Sequence, residues 1–110
     1  MAIIVKTNNP NTLLKAIKEQ IDEKKIVTWA YDNDGDFTHS PDQWEGRAWL
    51  RPKIYTGELR FGILKQRDID MTRYIYGIYH GRFIEMLLSH FDGDFKEALA
   101  TAVKTEPDNF

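Results

Sequence analysis

The first part of the chain changes from a strand-like to a helix-like pattern of apolar residues. Residues 2–6 (AIIVK) form a short β-branched run, which is typical of a strand. Leu13 and Ile17 then recur at helical spacing, with charged residues on the opposite side. Pro10 suits a first helical position, and Asn9 is of a residue type that caps helices. The sequence therefore predicts a strand followed by an amphipathic helix.

The middle of the chain alternates apolar and polar residues, as half-buried strands do. This pattern predicts strands over residues 26–32, 47–54 and 58–65. Gly35, which follows an aspartate, can form the turn of a hairpin after the first of these strands. Residues 40–43 (SPDQ) combine a serine cap, a proline at the first helical position and a glutamine that can complete a capping box. They predict a single helical turn.

The C-terminal part is ambiguous between strand and helix. Residues 72–79 are rich in tyrosine and isoleucine and contain a glycine, which favours a strand, followed by a helix from about Gly81. A single helix over 70–91 is the alternative, and it would hold two glycines in its interior. Asp94 and Glu97 have the spacing of a capping box and predict one more helix.

Together these elements predict a single α+β domain over residues 1–105. In it, an antiparallel sheet carries the N-terminal helix and two C-terminal helices on one face. Residues 106–110 are expected to form a frayed acidic tail. The content of 42% hydrophobic and 29% charged residues is that of an ordinary globular chain of 110 residues.

Composition narrows the possible functions. The chain has no cysteine, which excludes disulfides, thiol nucleophiles and thiolate zinc sites and fits a reducing cytoplasm. The formal net charge of −2 makes nucleic acid an unexpected partner. The apolar run at the N-terminus is too short for a signal peptide or a membrane span. We therefore expect a cytoplasmic protein that does not contact a membrane.

The stretch YDNDGDFTH at residues 31–39 places three aspartates on alternate positions, as calcium-binding loops do. An EF-hand loop needs glycine at its sixth position and glutamate at its twelfth. Counted from Asp32, the glycine is fourth and the twelfth residue is Gln43. The stretch is therefore interpreted as a hairpin turn, and we expect neither a metal nor another cofactor.

One group of residues could form a ligand pocket at an end of the sheet. Tyr79, His80 and Arg82 cluster where the predicted strand passes into a helix, and such junctions often hold anions on free N–H groups. No serine or threonine nucleophile accompanies them in sequence, so no catalytic residue is assigned. The pocket candidates are Asp36, His39, Trp44, Arg47, Tyr79, His80 and Arg82.

A second group lies on the outward side of the middle strands. Cations interleaved with a tryptophan can grip phosphates, and tryptophan and arginine are also typical anchors of protein interfaces. Two tyrosines of the 72–79 segment join this face if that segment is a strand. The interface or anion-binding candidates are Trp49, Arg51, Lys53, Arg60, Tyr74 and Tyr76.

The function that the sequence favours is a non-catalytic binding or regulatory module that acts through protein–protein contacts. Its high aromatic content predicts a homodimer built on the Trp49 side of the sheet. A small-ligand or enzymatic site in the pocket described above is one alternative. RNA or phosphate binding on the Arg47–Lys53 face is the other.

Overall fold

The computed structural model describes residues 1–110, which form one six-stranded antiparallel sheet and two helices. The strand order is β2-β3-β4-β5-β1-β6. Neither helix combines the length and apolar content that a membrane span requires. In chain order the elements are β1 (Ile3–Lys6), α1 (Pro10–Asp22), β2 (Trp29–Tyr31), β3 (Phe37–His39), β4 (Ala48–Tyr55), β5 (Glu58–Lys65), α2 (Arg73–Phe91) and β6 (Glu97–Ala100).

Both helices contribute to a hydrophobic core on one side of the sheet. Alternate strand residues such as Val5, Leu50 and Phe61 are fully buried there. From α1, Leu13 and Ile17 join them, at the spacing that predicted this helix. The expected α+β class is confirmed, although the number of helices is not.

Local signals in the first half of the chain are reproduced with two exceptions, both of which are predicted capping residues, Asn9 and Ser40. The first helix begins at Pro10, but the side chain of Asn9 makes no capping hydrogen bond. The β2–β3 hairpin turns at Gly35, whose φ of 81° is readily adopted by glycine. In the next turn, the backbone N–H of Trp44 donates to the carbonyl of Pro41 at 2.8 Å.

Much of the aromatic area packs around one residue of α2. The Phe83 ring lies 4.6 Å from that of Phe61, 4.9 Å from that of Trp29 and 5.8 Å from that of Phe37, measured between centroids. Tyr79 meets Trp29 edge-on at 5.7 Å. These distances and angles are those of favourable aromatic pairs, so the cluster stabilises the attachment of α2 to the sheet.

The prediction of a strand over 72–79 is wrong. Residues 73–91 form the single helix α2, and Oγ1 of Thr72 caps it by accepting from the backbone N–H of Ile75 at 3.1 Å. Tyr79, Phe83 and Met86 are buried at intervals of four and three residues; a helix directs all three to one side, whereas a strand would turn Met86 to the opposite face. The spacing of the residues that can face the core therefore outweighed the β-forming preference of the tyrosines and isoleucines.

The predicted second C-terminal helix is also wrong, because residues 97–100 form the edge strand β6. This strand pairs antiparallel with β1, and Val5 lies opposite Ala98. The backbone N–H of Lys96 donates to the carbonyl of Lys6 at 2.7 Å. Pairing with an otherwise open edge of β1 outweighs the capping-box signal, since local propensity is weak compared with tertiary contacts.

The final residues, expected to be a frayed tail, are hydrogen-bonded to β5. The backbone N–H of Ile63 donates to Oδ1 of Asp108 at 2.7 Å, and that of Asn109 donates to the carbonyl of Ile63 at 3.0 Å. The backbone of Pro107 lies directly over Gly62. The C-terminal segment therefore continues the sheet alongside the part of β5 that β1 does not reach.

Candidate ligand cleft and interaction surface

A cleft of about 300 Å³ separates the β2–β3 hairpin and the turn after it from the C-terminal half of α2. Trp29 and Met86 are almost fully buried and form its floor, while the half-buried Trp44 stands at one side. The convergence of polar groups makes this cleft the candidate ligand site. The polar residues that line it are Thr28, His39, Gln43, Arg82, Glu85, Ser89 and His90.

His39 is the most buried of these polar side chains, with 6% of its surface exposed. Its Nδ1 lies 2.8 Å from the carbonyl of Thr28, which can only accept, so Nδ1 carries the proton. The ring also packs on Trp29 at 4.6 Å. Burial lowers the pKa of His39, and the Arg82 guanidinium adds to this, while the Thr28 bond and Glu85 oppose it. The ring is therefore neutral at pH 7, with the Nε2 lone pair unused.

Three of the seven predicted pocket residues line this cleft, namely His39, Trp44 and Arg82. Tyr79 lies beneath it and is fully buried. Its hydroxyl donates to the carbonyl of Trp44 and lies 3.1 Å from Oγ1 of Thr38. Tyr79 therefore fixes the turn that forms one wall and does not face the cleft itself.

The other three predicted pocket residues lie elsewhere. Asp36 binds Arg51 through both carboxylate oxygens, at 2.9 and 2.8 Å. His80 contacts the carbonyl of Met1 instead of the cleft. Arg47 is exposed and does not line the cleft. Because α2 is a continuous helix, His80 and Arg82 point in roughly opposite directions. The predicted strand-to-helix junction would have placed them together.

Sequence reasoning missed Gln43, Glu85, Ser89 and His90 as cleft residues. The signal that could have found three of them is the alternative of a helix over 70–91. In that helix, Glu85 and Ser89 follow Arg82 at intervals of three and seven residues and share its side.

On the sheet face opposite the helices, the predicted basic patch is already neutralised. Arg51 pairs with Asp36 at 2.8 Å, Lys53 with Glu106 at 2.9 Å and Arg60 with Glu58 at 2.6 Å, measured between nitrogen and oxygen. Two aromatic residues, Trp49 and Tyr55, lie on the same face, and both are half-buried. Arg51, Lys53 and Arg60 thus each have a carboxylate partner, whereas Arg47 has none, and the three pairs lower the positive charge that this face offers to an anionic ligand.

The three aspartates of the β2–β3 turn have carboxylate oxygens within 4.8 Å of one another. Two of them have evident structural roles. Oδ1 of Asp32 accepts from the backbone N–H groups of Asp34 and Asp36, both at 3.0 Å, and Asp36 holds Arg51. These bonds shape the hairpin turn, as the sequence interpretation expected.

The side of α2 that faces away from the core is largely apolar. Tyr74 is 69% exposed and Leu88 is 55% exposed, although both are large hydrophobic residues. Tyr74 also packs on Trp44, with ring centroids 5.1 Å apart, while Tyr76 is half-buried beside His80. We call this side the outer face of α2, and it consists of Tyr74, Gly77, Ile78, Gly81, Ile84, Glu85 and Leu88, with Ile84 at its edge and partly packed against the core.

Known proteins offer no guide to either surface. Searches of protein-family models, of curated proteins and of solved structures find no match to this chain. The cleft and the outer face of α2 are therefore the two features of the molecule that bear on its function.

We expect acidification to weaken the fold through His39 and His80. Burial lowers the pKa of His80 below 6.5, and the N-terminal ammonium adds to this, while the carbonyls of Met1 and Tyr76 and the carboxylate of Asp108 oppose it. Both folded pKa values are lowered, so the unfolded chain binds protons more readily. Stability should fall as the pH drops below about 6.5, by up to about 1.4 kcal/mol per pH unit for each histidine.

Urea unfolding followed by circular dichroism at about pH 7.5, 6.5 and 5.5 measures this change. His90→Gln is the matched control: His90 is exposed near the end of α2, and the same fall in stability is expected in this variant because it retains His39 and His80. A free energy of unfolding that stays constant between pH 6.5 and 5.5 would contradict the role given to the two buried histidines.

Proposed function

We propose that the protein is a small non-catalytic binding module that acts through protein–protein contacts and pairs with a second copy of itself. The observation that carries this proposal is the outer face of α2. A helix that covers a core usually has one polar side. Here the side opposite Phe83 presents Tyr74, Ile78 and Leu88. An apolar surface of this kind on a folded chain typically marks an interface. We also propose that the protein is cytoplasmic. The chain has no cysteine, so it needs no disulfide, and this fits the reducing environment of that compartment.

Two glycines on this face support a close helix contact. Gly77 and Gly81 lie one turn apart, and a Cβ added to either would meet no atom within 4 Å. Alanine would therefore fit, and it would favour the helix by about 1 kcal/mol at each position. Nothing within one chain requires glycine there. Close approach of a second helix to the backbone would require it.

The face is complementary to itself under a two-fold axis. If two copies of α2 cross antiparallel at Gly81, residues at equal distances on either side of Gly81 meet. Tyr74 then faces Leu88 of the partner subunit, and Ile78 faces Ile84 of the partner subunit. Apolar residues thus meet apolar residues, and the glycines lie at the centre.

The charges at the edge of the outer face are also compatible with this arrangement. Glu85 lies opposite Gly77 of the partner subunit, one helical turn from the partner's Arg73. Within one chain Arg73 has no carboxylate partner, and Glu85 has only an exposed contact of 3.4 Å with Arg82. Attraction between Arg73 and Glu85 of two subunits would fix the antiparallel register. A single helix pair is a small interface, so we expect affinity in the micromolar range.

The helix replaces the Trp49 side of the sheet as the proposed interface. On the sheet, Arg51, Lys53 and Arg60 have intramolecular carboxylate partners, and the C-terminal segment packs beside β5. The same pairing weakens the alternative of RNA or phosphate binding on the Arg47–Lys53 face. Support for the small-ligand alternative is confined to the cleft.

Gly81→Leu and Leu88→Lys test this proposal by sedimentation velocity at micromolar concentrations. The leucine blocks close approach at the axis, and the lysine places a charge against an apolar surface. Each should weaken the dimer by at least about tenfold, while the far-ultraviolet circular dichroism of the monomer stays unchanged. Trp49→Lys and Val27→Lys are controls on other surfaces and should leave the dimer intact.

A wild-type chain that stays monomeric up to about 100 μM would refute the proposal, because even weak specific interfaces assemble in this range. So would a Gly81→Leu variant that remains as dimeric as the wild type. Dissociation by Trp49→Lys, with no effect of Gly81→Leu, would instead return the interface to the sheet.

A further inference from the structure

We propose that the cleft between the β2–β3 hairpin and α2 binds a small organic monoanion that also carries an O–H or N–H donor. The donor would bind Nε2 of His39, and the anionic group would bind the guanidinium of Arg82. A hydroxyl-bearing aromatic carboxylate has this chemistry. The cleft shares only Glu85 with the outer face of α2, and the inference does not depend on self-association.

The deep end of the site is an acceptor that the protein itself does not use. The proton on Nδ1 of His39 is committed to the carbonyl of Thr28, and Nε2 has no hydrogen-bond partner within the chain. The hydroxyl of Tyr55 is the only fully buried side-chain polar atom without a partner. Nε2 of His39 also has no partner but is not among the fully buried atoms, so it is accessible from outside the protein. A His39 ring that is 94% removed from solvent offers this lone pair to whatever enters the cleft.

The outer end of the site is a cation with spare donors. Arg82 contacts Glu85 through one guanidinium nitrogen at 3.4 Å, and both side chains are more than half exposed. Such a surface pair contributes little energy and can rearrange. A carboxylate can accept two parallel N–H bonds from a guanidinium, which is a stronger arrangement. Arg82 also lies close enough to His39 to affect its ionisation.

Charge and size restrict the ligand further. Glu85 and His90 also line the cleft, and the Glu85 carboxylate would repel a second negative charge. The ligand is therefore a monoanion. A volume of about 300 Å³ is at the lower end for ligand pockets. With Trp29 and Trp44 among its lining residues, the cleft suits one flat ring rather than a large molecule.

Nuclear magnetic resonance titration with 3- and 4-hydroxybenzoate tests the site directly. Long-range ¹H–¹⁵N spectra resolve both ring nitrogens of each histidine, so a donor on Nε2 of His39 should shift its resonance in a saturable way. The matching methoxybenzoates have no hydroxyl donor. They should bind at least about tenfold more weakly than their parent compounds, because Nε2 then faces no donor.

Two substitutions separate the ends of the site. Arg82→Gln should weaken hydroxybenzoate binding by about tenfold, since it removes the charge that meets the carboxylate. Arg47→Gln removes an exposed arginine outside the cleft and should have no effect. His39→Phe keeps a ring against Trp29 but removes the acceptor, and should abolish the preference for hydroxybenzoates over methoxybenzoates. If that variant does not fold, Arg82→Gln and the methoxy compounds still decide the question.

The proposal is overturned if neither hydroxybenzoate gives a saturable shift at His39 up to about 10 mM, a range that covers weak ligands of this size. It is also overturned if Arg82→Gln binds as the wild type does, or if Arg47→Gln weakens binding equally. Repeating the titration in Gly81→Leu should give the same affinity, which separates the cleft from the proposed dimer. Lowering the pH until His39 is protonated should abolish the preference for hydroxybenzoates over methoxybenzoates, because Nε2 can then only donate and both the hydroxyl and the methoxy oxygen can accept.

Discussion

Replacing Phe83 with alanine should lower the free energy of unfolding by about 3–5 kcal/mol, the usual range for a fully buried phenylalanine. Phe83 is completely buried and lies within 6 Å of the ring centroids of Phe61, Trp29 and Phe37. Its removal would leave a cavity where α2 meets β2, β3 and β5. Urea unfolding at neutral pH measures the loss.

Leu88→Ala is the matched control on the same helix. Leu88 is more than half exposed on the outer face, so the substitution should change monomer stability by less than about 1 kcal/mol. Measurements at concentrations well below the dissociation constant of the dimer keep self-association out of the comparison. Equal effects of the two substitutions would mean that α2 is not packed on the sheet in this orientation.

Gly62→Ala should detach the C-terminal segment from β5. A Cβ on Gly62 would lie 2.4 Å from the carbonyl carbon of Pro107 and 2.6 Å from the backbone nitrogen of Asp108. Because both are backbone atoms, no side chain can move aside to relieve the clash. The hydrogen bonds that Ile63 makes with Asp108 and Asn109 would be lost with it. We expect a cost of about 1–3 kcal/mol, as for other overpacked sites.

Hydrogen exchange of the Asn109 amide measures this detachment, since that amide is bonded to Ile63 only while the segment is in place. The amide should exchange much faster in Gly62→Ala, while protection within β4 changes little. Gly93→Ala is the control, because its added Cβ meets nothing within 4 Å. Unchanged protection of Asn109 in Gly62→Ala would show that the segment does not cross this glycine.

Local patterns predicted the middle strands of the sheet because each strand has its own alternation of apolar and polar residues. The core positions Leu50, Leu59, Phe61 and Ile63 were on the expected sides of their strands. Residues 72–79 failed this logic, since their tyrosines and isoleucines have β-forming preferences. Ile75 and Tyr79 are buried while Gly77 between them is exposed, which is the burial pattern of a helix and not of a strand. Sequence alone does not reveal which surface a residue will be buried against.

The C-terminal strand could not have been predicted from its own residues. Residues 97–100 (EALA) are good helix formers, and Asp94 with Glu97 has capping-box spacing. They form a strand because β1, more than ninety residues earlier in the chain, has an edge that needs hydrogen-bond partners. This requirement becomes visible only once the order of strands in the sheet is known.

The candidate cleft was predictable only in part, for a related reason. His39 and Trp44 flank one turn, so their proximity follows from the local sequence. The opposite wall is set by the rotation of α2, which directs Arg82 to the cleft and His80 to the N-terminal strand. A strand in place of that helix brings a different set of side chains together. Pocket candidates chosen because they are adjacent in sequence therefore lie on two sides of the molecule.

The position of β1 between β5 and β6 has a consequence for the order of folding. The first strand pairs with residues 58–61 and 97–100, so both of its edges wait for distant parts of the chain. Closing such long loops before any contact compensates is slow, and folding in milliseconds to seconds is typical of sheets of this kind. During synthesis on a ribosome, β1 would remain unpaired until β5 emerges, and its outer edge would stay open until residue 100 does. Until then the residues of Ile3–Lys6 have at least one unpaired edge, so this segment of the nascent chain is the most open to incorrect strand pairing.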